Sequence, residues 1–272
     1  MIPFPLVKAH AFGNDFLLLD AREVPAGIDR PVLARAVCDR HRGVGADGLI
    51  IHTATPRGAS MRLLNADGSP SEVSGNGVRC LAAWIACRRL TAGDSDPGAT
   101  IEVETDAGTK RLALLGSERG RHTFRADMGH PERITRRQIR VGETLVDAVT
   151  LRVGNPQCVV LGEVTEERLH SLAARLAVHP HFAEGTNVEL ASVDEPGRIR
   201  ILIWERGVGP TEASGTGACA AAVAAIRYGG ADRDVQVTSP GGAQRVEWTD
   251  EGIFLTGWAE IVADVRWLAE VS

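Results

Sequence analysis

No apolar run in the sequence approaches the roughly 20 residues that span a bilayer. The stretch MIPFPLVKAHAFGNDF has neither the charged start nor the continuous apolar core of a signal peptide, so the expected compartment is the cytoplasm. Basic excess is also missing. With 30 Lys and Arg against 35 Asp and Glu, the net charge is −5, which argues against nucleic acid as a partner and leaves a small molecule as the default ligand. The five cysteines (Cys38, Cys80, Cys87, Cys158, Cys219) are odd in number, scattered and without a C-x-x-C pair. Neither a disulfide framework nor a zinc knuckle is indicated, and they read as reduced, mostly buried thiols. A G-x-S-x-G elbow is absent around Ser74 and Ser214, which argues against a serine hydrolase. What is present, 272 residues with 44% hydrophobic content, is enough to bury a large core in one big domain or two ordinary ones.

The most informative positive feature is a repeat. GNDFLLLD begins at Gly13 and GNPQCVVL at Gly154; SEVSGNGVRCLAA begins at Ser71 and TEASGTGACAAAV at Thr211. Both pairs share nearly one offset, close to half the chain, which points to internal duplication and to one ligand site served by both halves. After Gly77, residues Val78, Leu81, Ala82, Ile85 and Ala86 have helical spacing and end at Arg88 and Arg89, cations suited to a helix C-terminus. GTGACAAAVAAIRYGG is apolar all round and stops at Gly229, so that helix must be surrounded by protein. Strand-like runs flank both: DFLLLD, DGLIIHT, SMRLLN, TIEVET and KRLALL, then VTLRV, QCVVL, TNVEL, RIRILIW, VQVTS and QRVEW. The expected class is therefore α/β (α+β), with two pseudo-symmetric halves, each a curved, mainly antiparallel sheet around a buried central helix. The halves are expected at 1–118 and 119–259, crossing over near GSERG at 116–120, with a C-terminal strand at about 260–272 returning to the first. Surface helices are expected at about 31–41 and 165–178.

Two patterns lead elsewhere. GVGADG at 43–48 fits the dinucleotide spacing, but a helix precedes it and a strand follows, the reverse of that fingerprint, so a structural turn is expected. His179 and His181 have no third ligand nearby and read as a polar turn around Pro180; no metal is expected. The chemistry gathers instead at S-G-N-G and S-G-T-G, where the two central helices begin. Glycines there let backbone amides approach an anion, and Ser74 and Ser214 are either the reacting positions or ordinary N-caps.

GNDFLLLD, RGVGADGLI, MRLLNADGSPSEVSGNGVRC, GNPQCVV, TNVEL and WERGVGPTEASGTGACA, in this order, resemble the signature blocks of diaminopimelate epimerases. The resemblance covers the whole chain. It implies that family's fold and cofactor-free inversion of one α-carbon of diaminopimelate between the LL and meso forms, on the route to lysine and peptidoglycan. One cysteine thiolate takes the α-proton and a thiol opposite delivers another. Carried over by motif, Asn14, Asn65, Asn155, Gln157, Asn187 and Arg206 bind the substrate together with Gly75, Asn76, Gly215 and Thr216, and Glu205 orients one acid–base position.

The departures fall on that chemistry. Ser74 and Ser214 stand where the family has cysteine, and Gln157 where it usually has histidine. A thiol at a helix N-terminus ionises near neutral pH, whereas a serine hydroxyl needs another base and glutamine cannot titrate. A double Cys→Ser change made to silence an enzyme needs no third substitution, so the three together read as natural divergence. Glu72 and Glu212, two residues before the serines, and Glu205, nearby in the chain, are substitute bases or, in the plainer reading, helix-dipole complements or solvated charges near a helix start. The leading expectation is an amino-acid epimerase of this type; its rivals are an isomerase with non-thiol acid–base chemistry on another small acid, and a silent amino-acid-binding paralogue. A homodimer, the commonest closed assembly, is the oligomer to test.

Overall fold

A computed structural model describes residues 3–24, 26–93 and 98–268. The chain divides into two compact units, Met1–Ala126 with Trp258–Ser272, and Asp127–Gly257. The first contains β1 (Phe4–Ala11), β2 (Asn14–Asp20), α1 (Arg30–Cys38), β3 (Gly48–Thr55), β4 (Gly58–Asn65), β5 (Pro70–Ser71), α2 (Gly75–Thr91), β6 (Thr100–Thr105), β7 (Gly108–Glu118) and most of β8 (Arg121–Gly129). The second contains β9 (Glu132–Val141), β10 (Thr144–Val153), β11 (Asn155–Leu161), α3 (Glu166–Arg168), α4 (Ala174–Ala177), β12 (Asn187–Glu195), β13 (Arg198–Glu205), β14 (Gly209–Thr211), α5 (Gly215–Tyr228), β15 (Asp234–Ser239), β16 (Gly242–Thr249) and the start of β17 (Gly252–Trp267).

The connectivity of one unit repeats in the other. β2 and β3 pair parallel, as do β4 and β6; β11 and β12 pair parallel, as do β13 and β15. A parallel pair needs a long crossover. Here every crossover carries a helix: α1 and α2 in the first unit, α3–α4 and α5 in the second. Most of the remaining neighbours are antiparallel hairpins, in keeping with the class expected from the sequence.

The crossovers explain why the strands of the two G-N blocks read as continuous apolar runs. Such strands are covered on both faces. Leu17, Leu19, Leu49 and Ile51 pack under Leu33 and Val37 of α1, while the alternate residues Phe16 and Ile50 lie against Gly77 of α2. In the second unit Cys158, Val160, Val188 and Leu190 pack with Leu169, Ala173 and Leu176, and Glu189 lies against Gly217 of α5. α5 is buried continuously from Gly215 to Ala225 and ends at Gly229, as its all-apolar sequence demands. Cys38, Cys80, Cys158 and Cys219 are buried and Cys87 partly so, all as free thiols; burial pushes the Cys38 thiol up to about 12.

Three boundaries differ from the sequence reading. α1 stops at Cys38 rather than near 41, because the Asp39 carboxylate accepts the His41 and Arg42 amides at 2.8 and 2.7 Å and turns the chain. The helix expected over 165–178 carries a π-helical stretch, Leu169–Ala173, in which the Ala174 amide reaches back to the Leu169 carbonyl. GSERG is the β7–β8 hairpin turn, with Arg119 and Gly120 both left-handed (φ 51° and 82°), so the first unit continues to Ala126. The chain re-enters that unit at Trp258, and β17 pairs with β1 from Trp267 opposite Phe4. Residues 269–272 of the expected returning strand lie outside the described residues.

GVGADG is a turn that closes the C-terminus of α1. The amides of Gly43, Val44, Gly45 and Ala46 donate to the carbonyls of Asp39, Val37, Val37 and Cys38 at 2.9–3.1 Å, satisfying the acceptors the helix leaves open. A Cβ on Gly43 would lie 2.5 Å from the Ala36 carbonyl oxygen and 2.6 Å from two more. Gly43→Ala is therefore expected to cost on the order of 2–3 kcal/mol in urea unfolding, whereas Gly116→Ala, with nothing within 4 Å of its Cβ, should change stability little. Equal effects would show that close approach does not explain the glycine.

Candidate functional site

Each central helix begins on a serine in extended backbone: Ser74 at φ −126°, ψ 122° and Ser214 at φ −137°, ψ 126°. The Ser74 hydroxyl oxygen accepts the Gly77 amide at 3.1 Å, and that of Ser214 accepts the Gly217 amide at 3.2 Å. The first turns are buried, from Asn76 onward in α2 and from Gly215 onward in α5, so their amides need a side-chain acceptor. The positive end of the helix dipole stays at the start, together with Gly75, Asn76, Gly215 and Thr216.

In the first unit a chain of polar groups holds this start. The Asn76 amide, buried, donates to Asn14 Oδ1 at 3.1 Å, and the Asn14 amide donates to Asp47 Oδ2 at 2.8 Å. Arg40 clamps Asp47 and Asp15, both at 2.8 Å, and Lys8 reaches Asp15 at 3.0 Å. Burial pushes the Asp15 carboxyl up, but hydrogen bonds and charge from Arg40 and Lys8 outweigh it and leave it below its ordinary value. Arg79, fully buried in α2, donates to Asn76 Oδ1 and lies over the Phe12 ring. Asn65, at the end of β4, instead uses its amide on Ser69 Oγ at 3.0 Å.

The second unit differs in content. Gln157 is buried and donates to Asn155 Oδ1 at 2.5 Å. Asn187 Oδ1 accepts the Arg206 backbone amide at 2.9 Å, at the end of β13 beside Glu205. The Arg206 guanidinium, exposed, is anchored through Nη1 on the Glu184 carbonyl at 2.7 Å. Thr216 Oγ1 lies 3.4 Å from the Ser214 hydroxyl. Glu72 and Glu212 are both exposed. His179 and His181 belong to a turn, His179 bonded to the Arg140 carbonyl and His181 to Arg137.

Sequence reasoning passed over Arg40, Asp47, Arg79 and Glu189. Only Glu189 left a signal, as an acid inside TNVEL, in the stretch Asn187–Ala191 of β12 that is buried at every position. Its carboxyl is fully buried, and desolvation, then the charge of Glu205, hold it well above the ordinary carboxylate value. The matching place in the first unit holds Ile50: a Cβ on Gly77 would meet Ile50 Cδ1 at 3.0 Å, and one on Gly217 would meet Glu189 Oε1 at 2.8 Å.

A family model described as diaminopimelate epimerase matches residues 6–134 and 149–262. The chain is 41% identical to the diaminopimelate epimerase of Desulforudis audaxviator, covering 96% of this chain and 98% of that one. It is 38% identical to that of Heliobacterium modesticaldum, covering 92% and 95%. The crystal structure of a hydroxyproline epimerase from Agrobacterium vitis superposes with a TM-score of 0.72 at 15% identity, covering 97% of this chain and 91% of that one, a likeness of fold.

The buried acid sets a pH dependence. Between the ordinary carboxylate value of 4.5, which the unfolded chain keeps, and the higher folded value, the folded state binds the extra proton. Stability must then fall as pH rises through that window. Denaturation of wild type and Glu189→Gln from pH 4 to 8 should show that fall in the wild type and its loss in the variant. Parallel curves would mean that Glu189 does not hold a proton in the fold.

Proposed function

Because the chain belongs to the diaminopimelate epimerase family, an isomerase family, we propose that it binds diaminopimelate by an amino-acid end and exchanges the α-proton, with Ser74 and Ser214 at the two acid–base positions. The observation that carries this reading is the repeated serine-capped helix start. Removing an α-proton leaves negative charge that spreads into the adjacent carboxylate, and a helix N-terminus with close-approach glycines stabilises charge developing there. Asn14, Asn65, Asn155, Gln157 and Asn187 offer amide donors and acceptors to the ammonium and carboxylate groups. Arg206 offers a charge-assisted, forked contact to a carboxylate, and Glu205 orients the Ser214 position.

The serines limit the rate. Each hydroxyl accepts a helix amide and, unlike a thiol at a helix start, is no base near neutral pH. That engagement favours one second reading, an amino-acid-binding protein that turns over slowly or not at all. We place the protein in the cytoplasm; no helix among the described residues is long and apolar enough to cross a membrane. A homodimer is the proposed assembly, checked by light scattering.

Calorimetry with LL- and meso-diaminopimelate should show binding, weakened by about 1.5–3 kcal/mol in Arg206→Ala. Absence of binding would defeat the reading. Proton NMR in deuterated water should show slow α-proton exchange by the wild type. The double change Ser74→Cys and Ser214→Cys should raise it on the order of 10²-fold or more. A wild type as fast as the double variant would move the base away from these two positions.

A further inference from the structure

We propose that Glu189 is a positioning residue of the Ser214 half-site, holding the proton that the side chain at position 214 gives up or takes back. This inference rests on the role assigned above to Ser214. Three observations carry it. Glu189 is fully buried, and its carboxyl oxygens have no hydrogen-bond partner outside their own residue. An unpaired buried carboxyl is costly, and the other unit fills the same place under its helix with Ile50, so packing alone does not require an acid. Lastly, the carboxyl and the Ser214 hydroxyl border one point: Glu189 Oε1 lies 2.8 Å, and Ser214 Oγ 3.2 Å, from the place where Gly217 lacks a Cβ. Glycine at 217 thus keeps open the gap separating the two oxygens.

The groups around this carboxyl are consistent with a stored proton. Glu205 on β13 is the neighbouring charge that opposes ionisation. Cys158 on β11 feels Glu189 in turn, and burial keeps that thiol protonated. α5 brings the hydroxyls of Ser214 and Thr216 and no ionised side chain within its first turn. In delivery, the Ser214 Oγ–H bond breaks as its proton passes to the substrate carbanion. A new Oγ–H bond forms with the Glu189 proton, and Glu189 is left as carboxylate. Abstraction runs the same two transfers backwards, the electron pair staying on the substrate α-carbon and its carboxylate.

The test replaces the hydroxyl by a titratable reporter. Peptide-resolved alkylation by iodoacetamide of Ser214→Cys, followed from neutral to alkaline pH, should give a thiol titration that moves down by roughly 1 pH unit when Glu189→Gln is added. At fixed pH below the midpoint that is a rise in alkylation of about 10-fold. The thiol of Ser74→Cys, whose helix faces Ile50, should not respond to Glu189→Gln. Superimposed curves for Ser214→Cys, or an equal shift in Ser74→Cys, would overturn the proposal. Wild-type protein should also show at neutral pH the infrared band of a protonated carboxylic acid shielded from exchange, and its absence would overturn the proposal without any variant. Neither measurement uses substrate. Failure to bind diaminopimelate would sink the functional reading alone, and superimposed titrations in a protein that binds it would sink this one.

Discussion

A helix whose first turn is buried, from Asn76 in α2 and from Gly215 in α5, cannot leave its first amides to water, and that constraint governs both units. α2 and α5 each begin on a serine whose hydroxyl accepts the third amide of the helix. Each follows it with glycines because a strand residue lies hard against the first turn. The crossovers that carry these helices dictate the parallel strand pairs, and the parallel pairs dictate strands covered on both faces. The polar groups around those helix starts come from strand ends, as Asn14 and Asn187 do, from the loop that carries Arg40 and Asp47, and from α2 itself through Arg79.

The same constraint bears on the serines. Serine is among the best N-cap residues, whereas a thiol is a weak acceptor, so the residue that best closes these helices is a poor acid–base group. A cysteine at either position would give up helix-capping strength for a group that ionises. This chain sits on the other side of that trade. Each of its serine hydroxyls accepts a helix amide, and a titratable carboxyl lies behind the glycine of the second helix.

Duplication makes that displacement visible. Under α2 the strands supply Phe16 and Ile50, a hydrophobic floor; under α5 the corresponding strands carry Gln157 and Glu189. Burying an unpaired carboxyl where an isoleucine serves equally well lowers stability, and such costs concentrate at functional sites. The first unit spends its polar groups differently, in the Asn76–Asn14–Asp47–Arg40–Asp15 network that fixes the backbone around the helix start. One unit is built to hold its helix start rigidly, the other to place a titratable group beside it.

The sequence by itself determined the repeat, both central helices with their caps and the family, because each is written in local spacing: glycines, capping serines and apolar runs of fixed period. The serines at the two helix starts were legible for the same reason, whereas Asn14 and Asn76 were named only through the resemblance. Arg40, Asp47 and Arg79 were not legible, since a charge on a loop or inside a helix acquires its meaning from partners that the fold supplies, as Arg40 does from Asp15. The sequence placed a domain crossover at GSERG, but two left-handed residues close a hairpin there, and only long-range pairing decides whether a turn ends a domain. Glu189 is the sharpest case. Its letter lies in a conspicuous block, yet whether an acid in a strand faces water or the underside of a helix is set by which face the crossover helix covers, and that is decided by tertiary structure alone.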